Sequence, residues 1–264
     1  MAAVSDPGER CERFRAMHVP GRPVVLPNVW DAASARAVVA AGFPAVATSS
    51  GAVAATLGYE DHEDAPADEM FAAAARIARA VDVPVTVDAE AGYGLSPEDL
   101  VASLGAAGLA GCNLEDTDHR TGSLVDAERQ ADRLGAIRAV ADRAAYPLVL
   151  NARIDVFLHD RDADQAALVE EAVGRASVYL RAGADCVYPI VLRDRDAIAS
   201  FVAGAGGPVN ILAAGGPGVA ELAELGVARV SYGSSIHTGL MEELANFLSG
   251  RRDRLGSADP PPVP

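Results

Sequence analysis

Residues 81–94 read VDVPVTVDAEAGYG and combine an apolar segment with two closely spaced acids. The run 83–87 is apolar and β-branched, and a proline and a glycine turn bound it, which is typical of a buried strand. Asp88 and Glu90 follow at its carboxyl end. Residues two apart in a strand share a side, so we expect these carboxylates to need a cation or a proton between them. Mg²⁺ prefers such oxygen ligands, and solvated acids or helix caps are the alternative interpretation.

Eight apolar stretches alternate with helical stretches along the chain. We predict strands at 24–29, 45–50, 83–87, 111–115, 148–153, 186–190, 209–213 and 227–231. Strict alternation implies parallel strands, and eight units in this length fit an α/β fold, a (β/α)₈ TIM-type barrel. We expect a lead-in helix at 5–17, with Ser5 as its N-cap, and a C-terminal helix after the last strand. The barrel is predicted to form one domain, 1–250, before a disordered Pro-rich tail, 251–264.

The composition excludes several classes of function. The chain of 264 residues is half hydrophobic and has a formal net charge of -15, which argues against nucleic acid and anionic membranes as partners. It contains no lysine, so chemistry that needs a lysine Schiff base is excluded. Its three cysteines are isolated and predict neither a disulfide framework nor a zinc site. We find no apolar run with the pattern of a signal sequence or a membrane span, and therefore expect a cytoplasmic protein.

In such a barrel the chemistry lies at the carboxyl ends of the strands. The residues predicted there are Ser49, Ser50, Gly51, Asp88, Glu90, Glu115, Arg153, Asp155, Tyr188 and Asn210. Acids from separate strands therefore converge on one mouth, opposite a single arginine. This convergence favours a metal site over scattered, solvated acids. Tyr188 either lines the pocket or only packs, and Asp155 either orients Arg153 or caps the following turn.

The chain resembles the isocitrate lyase/phosphoenolpyruvate mutase superfamily in the segments VDAEAGYG, CNLED and LNARIDVF, and in the earlier LPNVWDAASARAVVAAGFPAVATSSGAVAATLGYED. The resemblance extends over residues 22–240. It implies a (β/α)₈ barrel, dependence on Mg²⁺ with Mn²⁺ as the alternative, and cleavage or formation of C–C or C–P bonds beside a pyruvate-like unit. It also implies a homo-oligomer, a dimer or tetramer in which a C-terminal helix is exchanged.

The resemblance assigns metal ligands by position. Asp88 is implied to be the direct ligand. Glu90, Glu115 and Asp61 are implied to bind the metal through water molecules.

The resemblance also assigns substrate contacts. Ser49, Ser50 and Gly51 match the segment whose backbone and hydroxyl groups hold the substrate carboxylate and oxyanion. Arg153 matches the arginine that binds the distal acidic group, and Asn210 lies where the family has a polar residue near the substrate. The residues that we expect to be catalytic are Arg153, Ser50 and Asp61.

The segment 116–124, DTDHRTGSL, departs from the lyase pattern of the family. Lyase members carry a Lys-X-Cys-Gly-His type of segment, whose Cys protonates the enolate, and this segment has neither Cys nor Lys. Members that decarboxylate oxaloacetate lack that Cys. We therefore predict a lyase that cleaves a small 2-oxo or 2-hydroxy di- or tricarboxylate to a pyruvate-type enolate, with oxaloacetate decarboxylation as the leading reaction. His119 is either an acid on this loop or, as the pattern favours, a solvated histidine.

Three other functions remain open. The chain could be a C–P hydrolase or mutase acting on a phosphonopyruvate-like substrate. It could be a metal-dependent aldolase for a phosphorylated substrate, because the glycines at 215–218 and the Gly233–Ser234–Ser235 turn could hold a phosphate. It could also bind a carboxylate metabolite without turning it over. In each case the expected partners are a small carboxylate and further copies of the chain.

Overall fold

The computed structural model describes residues 7–251. Within this range the helices are α1 (Pro7–Ala16), α2 (Ala32–Ala40), α3 (Ser50–Leu57), α4 (Ala67–Arg79), α5 (Pro97–Ala106), α6 (Ala127–Arg143), α7 (Val156–His159), α8 (Gln165–Arg181), α9 (Arg195–Ala205), α10 (Val219–Glu224) and α11 (Ser235–Ser249). The strands are β1 (Val24–Leu26), β2 (Asn28–Val29), β3 (Val46–Thr48), β4 (Val85–Asp88), β5 (Gly111–Leu114), β6 (Thr117–Asp118), β7 (Ser123–Leu124), β8 (Val149–Ile154), β9 (Cys186–Pro189), β10 (Asn210–Leu212) and β11 (Arg229–Ser231).

The strands of the barrel are parallel and follow one another in chain order. One sheet has the order β2-β3-β4-β5-β8-β9, and a second has the order β1-β11-β10. Only Pro27 separates β1 from β2, and an isolated parallel bridge between Val187 and Val209 links β9 to the segment before β10. Helices lie between successive strands, as right-handed crossover connections require. The predicted (β/α)₈ barrel class is therefore confirmed.

Two local features differ from the sequence prediction. The first predicted strand is divided at Pro27, which has no N–H to donate to a neighbouring strand. The segment after β5 folds back as an antiparallel hairpin, β6–β7, with Thr117 opposite Leu124. The predicted N-cap Ser5 and the tail beyond residue 251 lie outside the described residues.

The core fills the barrel and the space between strands and helices. Helix α1 packs Cys11 and Phe14, both fully buried, against Leu26 and Val149. Arg229 of β11 is also fully buried, and its guanidinium lies 5.7 Å from the centre of the Phe14 ring. The amino-terminal helix thus covers one end of the barrel and leaves the carboxyl ends of the strands for the site.

Helix α11 differs from the other long helices because none of its residues is buried. The large exposed apolar side chains of the described chain all lie on it: Leu240, Met241, Leu244, Phe247 and Leu248. In the described range we find no helix that is both long and apolar enough to cross a membrane.

Candidate active site

Strand register brings the predicted site residues to one end of the barrel. Asp88, the last residue of β4, is paired with Asn113 of β5. Arg153 of β8 is paired with Tyr188 of β9. Because parallel neighbours end at the same edge, the loops that follow these strands meet there. The acids after β4 and β5 therefore lie near the arginine of β8, as the sequence predicts.

Asp88 is held by the start of helix α3. Its Oδ2 accepts hydrogen bonds from the backbone N–H of Ser50, at 3.4 Å, and from the Ser50 hydroxyl, at 3.1 Å. Its Oδ1 is buried and has no hydrogen-bond partner among the described residues. Burial raises the pKa of Asp88, and the nearby Arg153 opposes this rise. Asp88 thus directs one free carboxylate oxygen into a low-dielectric site, which suits a cation ligand.

Asp61 lies close to the backbone of Gly51, near the start of helix α3. A Cβ on Gly51 would lie only 2.8 Å from Oδ2 of Asp61 and 3.2 Å from the hydroxyl of Ser234. The other oxygen of Asp61 is buried without a partner in the described chain. Ser49, the N-cap of α3, contacts the Ser234 hydroxyl at 2.7 Å. The segment 49–51 therefore brings the start of helix α3 next to Asp61 and to the loop after β11.

Glu90 lies in a strained loop and is fully paired. Its carboxylate accepts from the hydroxyl of Tyr93, at 2.9 Å, and from the backbone N–H of Glu63, at 2.6 Å. Both Glu90 and Tyr93 have left-handed backbone angles, φ 48° and 54°, which cost about 1 kcal/mol or more each. Burial, together with the charges of Asp88 and Asp61, raises the pKa of Glu90 to about 7. Such strain persists only where surrounding contacts impose it, and here the hydrogen bonds of Glu90 with Tyr93 and Glu63 do so.

Glu115 connects the acids to the hairpin and to Arg153. One of its oxygens lies 2.5 Å from Nε2 of His119, and the other contacts Nη1 of Arg153. Burial raises the pKa of Glu115, while Arg153 and His119 oppose the rise. The contact with Glu115 raises the pKa of His119. The side chain of His119 is only 11% exposed, so the favoured interpretation of a solvated histidine is wrong. The hairpin, which the sequence did not predict, turns this ring inward.

Arg153 is anchored by Asp155. Two hydrogen bonds, from Nε to Oδ1 at 2.6 Å and from Nη2 to Oδ2 at 2.8 Å, join the two side chains. Asp155 is fully buried, and its side chain does not cap helix α7, so it orients Arg153 rather than capping the turn. Thr117 donates its hydroxyl to the same carboxylate at 2.6 Å. Sequence reasoning missed Thr117, because a threonine after a strand carries no signal of its own.

Tyr188 and Asn210 are buried and meet at Ser231. The Ser231 hydroxyl donates to Oδ1 of Asn210 at 3.3 Å. Burial raises the pKa of Tyr188 to about 12, and the Ser231 hydroxyl acts to lower the pKa of this phenol. The amide nitrogen of Asn210 is buried without a partner in the described chain. Of the two, Asn210 therefore has the unused donor that a substrate oxygen could accept.

The donors present fit a hard divalent cation in part. Within residues 7–251 no group of three or more His, Cys, Asp or Glu side chains is arranged to hold one metal ion directly. The free oxygens of Asp88 and Asp61 suit one cation. Glu90 accepts from Glu63 and Tyr93, and Glu115 lies in ion-pair contact with Arg153 and His119. This arrangement agrees with a Mg²⁺ ion that is bound directly by one or two carboxylates. The remaining acids would contact it through water molecules, which Mg²⁺ commonly retains.

The fold and the site define a (β/α)₈ barrel with buried acids and one anchored arginine at the carboxyl ends of its strands, where barrel enzymes carry out their chemistry. The chain belongs to the phosphoenolpyruvate phosphomutase family, whose model matches residues 14–250. The resemblance inferred from the sequence is thereby confirmed.

Three proteins illustrate the range of relatives. A candidate phosphonomutase from Burkholderia cenocepacia J2315 is 42% identical, with a TM-score of 0.85, over 91% of this chain and 99% of its own. An oxaloacetate decarboxylase from Pseudomonas savastanoi pv. phaseolicola is 30% identical over 92% of this chain and 85% of its own. The structure of 2,3-dimethylmalate lyase, a member of the PEP mutase/isocitrate lyase superfamily, is 25% identical, with a TM-score of 0.82, over 97% of this chain and 92% of its own. Lyases and mutases are thus both among the relatives.

Proposed function

We propose that the chain is a Mg²⁺-dependent carbon–carbon lyase that cleaves a small 2-oxo or 2-hydroxy di- or tricarboxylate to a pyruvate-type enolate. Oxaloacetate decarboxylation is the leading specific reaction. The observation that carries the proposal is the pair of free, buried carboxylate oxygens on Asp88 and Asp61, beside the anchored cation of Arg153. Relatedness to an oxaloacetate decarboxylase over most of both chains supports the choice of reaction.

One group of site residues would hold the cation, and a second group would bind the substrate. Asp88 would bind the divalent ion directly, with Glu90 and Glu115 reached through water. The resemblance implies a contact through water for Asp61 as well, and the free buried oxygen of Asp61 would also allow a direct one. When bound, the ion supplies a Lewis acid for the charge that develops as a bond next to a carbonyl breaks. Manganese could replace magnesium, because both accept carboxylate and water oxygens.

The remaining groups bind and orient the substrate. Arg153 provides a fixed positive charge, and its contact with Glu115 can be exchanged for one with a substrate carboxylate. Ser50 holds the other oxygen of Asp88, and Ser49, Ser50 and Gly51 would position the reacting end. Asn210 can donate its unused N–H to a substrate oxygen. Burial of the whole set strengthens each of these electrostatic interactions.

A panel of acids tests the proposal. Release of pyruvate or glyoxylate would be measured from oxaloacetate, methylisocitrate, isocitrate and phosphonopyruvate, with Mg²⁺ and with a chelator. Oxaloacetate also loses CO₂ to metal ions in solution, so the Asp88→Asn protein serves as the matched blank. Release from oxaloacetate, methylisocitrate or isocitrate that requires both the metal and Asp88 would support the lyase. No release from these three acids would remove the lyase, and no turnover of any of the four would favour a barrel that binds a carboxylate without cleaving it.

A phosphonate substrate is the second candidate. The relationship to a candidate phosphonomutase at 42% identity favours it, and the Arg153 guanidinium suits a phosphonate as well as a carboxylate. Phosphonopyruvate separates the two when phosphoenolpyruvate is measured beside pyruvate, because a C–P hydrolase releases pyruvate and a mutase forms phosphoenolpyruvate. The aldolase for a phosphorylated substrate has less support, because Gly215 and Gly216 pack closely against Arg193 in a turn.

We also propose that the protein is a homo-oligomer, a dimer or tetramer, in the cytoplasm. Helix α11 exposes five large apolar residues, and an apolar groove lined by Trp30, Ala37, Phe43, Ile236 and Leu240 lies beside its first turns. Such a surface is typical of one that a second copy covers. Sedimentation of the wild-type chain and of Leu244→Glu tests this, because a monomeric wild type would contradict it.

A further inference from the structure

A second cavity, of about 450 Å³, lies beside the candidate site. Its walls come from the loop after β4, the β6–β7 hairpin and the first two turns of helix α6. Glu115 and His119 form its boundary with the candidate site, whereas Asp88 and Arg153 do not line it. The cavity is therefore a neighbour of the proposed substrate position and a separate space.

Two arginines that line this cavity form no ion pair within residues 7–251. Arg129 and Arg133 lie one helical turn apart on α6, so both reach the same space. Neither side chain forms an ion pair or a hydrogen bond with another residue of the described chain. Burial lowers the pKa of Arg133, and the charge of Glu63, which lines the same cavity, opposes this shift.

The acids that line the cavity have other partners. Glu63 accepts the backbone N–H of Tyr93 at 2.5 Å, Asp118 pairs with Arg120, and Glu115 contacts His119 and Arg153. Other partly buried arginines of the chain are neutralised: Arg138 contacts Asp185 at 2.6 Å, and Arg175 contacts Asp116 at 3.0 Å. Arg129 and Arg133 therefore keep donors that no carboxylate of the described residues occupies, although the charges of Glu63 and Asp118 act on them from the same cavity.

The guanidinium of Arg133 packs closely against the backbone at Gly92. A Cβ at Gly92 would lie 2.5 Å from Nη2 of Arg133, so only glycine allows this guanidinium to pack against the loop. Gly92 has φ 91° and lies between Glu90 and Tyr93. The loop that carries one proposed metal ligand is therefore also a wall of this cavity.

We propose that this cavity binds a small dianion through Arg129 and Arg133, at a site distinct from the proposed substrate site. Guanidinium groups match carboxylate and phosphate oxygens in pairs, so the ligand is a dicarboxylate or a phosphate ester. The volume admits a molecule of several non-hydrogen atoms beside the two cations.

Calorimetric titration of the full chain with inorganic phosphate, and separately with succinate, tests the site at constant ionic strength. We expect saturable binding that is weaker by about tenfold or more in Arg129→Gln/Arg133→Gln, since charged hydrogen bonds are lost. Arg143→Gln is the matched control, because Arg143 lies on the same helix but is 66% exposed and pairs with Glu98. This control should bind as the wild type does. The tighter of the two probes identifies the ligand as a phosphate ester or a dicarboxylate.

Three results would overturn the proposal. The first is no saturable binding of either anion to the wild-type chain. The second is equal affinity in the wild type and the double variant. The third is that Arg153→Lys weakens anion binding whereas the double variant does not, because the anion would then occupy the candidate active site. If the double variant does not fold, anion binding is measured on the single variant Arg129→Gln, because Arg129 is exposed. Because no outcome depends on turnover, failure of the proposed lyase activity is distinguishable from failure of this site.

Discussion

The guanidinium of Arg153 and the carboxylate of Asp155 form two parallel hydrogen bonds, at 2.6 and 2.8 Å, although only one residue separates them in the chain. Asp155 is fully buried, and its carboxylate also accepts the Thr117 hydroxyl. Glu115 contacts the remaining side of the guanidinium. The one cation of the candidate site is therefore fixed in place before any substrate arrives, which is how a site reduces reorganisation during a reaction.

Asp155→Asn should destabilise the protein by about 3–5 kcal/mol, since it removes one partner of a buried ion pair. The amide nitrogen would also face the guanidinium as a second donor. Urea unfolding followed by circular dichroism measures the change. Asp118→Asn is the control, because the Asp118–Arg120 pair is exposed and its loss should leave stability near that of the wild type. Equal stability of Asp155→Asn and the wild type would show that the pair contributes nothing.

Arg153→Lys should raise the KM of the active acid by about tenfold or more and lower kcat less, because lysine keeps the charge and loses the paired donors. Alanine is a less informative change, since it would leave Asp155 and Glu115 as unpaired buried acids and destabilise the fold. Steady-state kinetics on the folded variant provide the measurement. An unchanged KM would mean that Arg153 does not contact the substrate.

Gly51→Ala should weaken metal binding by about tenfold, because the new Cβ would lie 2.8 Å from the Asp61 carboxylate and displace it. Equilibrium dialysis with Mn²⁺ measures the affinity. Gly174→Ala is the matched control: it lies within helix α8 with nothing inside 4 Å of the added Cβ. That change should raise stability by about 1 kcal/mol and leave metal binding unaltered. If Gly51→Ala binds metal like the control, Asp61 is not a ligand.

Acidification should destabilise the protein through His18. Burial, assisted by the charge of Arg229, lowers the pKa of His18 to about 3. The unfolded chain takes up a proton near about pH 6.5, so between these values protons bind the unfolded state preferentially. The free energy of unfolding should therefore fall as the pH drops from about 6.5 towards 3.

His18→Gln isolates this contribution, because glutamine keeps an amide donor for the carbonyl of Phe14. Urea unfolding at about pH 7, 6 and 5 should give a smaller decrease for the variant than for the wild type. Parallel decreases in the two proteins would show that His18 is protonated in the folded state.

The sequence was sufficient for the fold and for most of the site. The eight strands and the convergence of Asp88, Glu90, Glu115 and Arg153 follow from apolar periodicity, because parallel strands bring their carboxyl ends together. The inward turn of His119 could not be predicted, since it depends on a short hairpin with no apolar pattern. The two unpaired arginines of α6 were also missed. An arginine on a helix is usually solvated, and only the three-dimensional contacts show which ones lack a partner.

The decisive measurement is release of pyruvate from oxaloacetate by the wild type and by Asp88→Asn, each with Mg²⁺ and with chelator. The wild type with Mg²⁺ should exceed the metal-catalysed rate in solution. Chelator, or the Asp88→Asn change, should then return the rate to that background, because one free buried oxygen of Asp88 is the expected cation ligand. An Asp88→Asn protein that retains the wild-type rate would contradict the account.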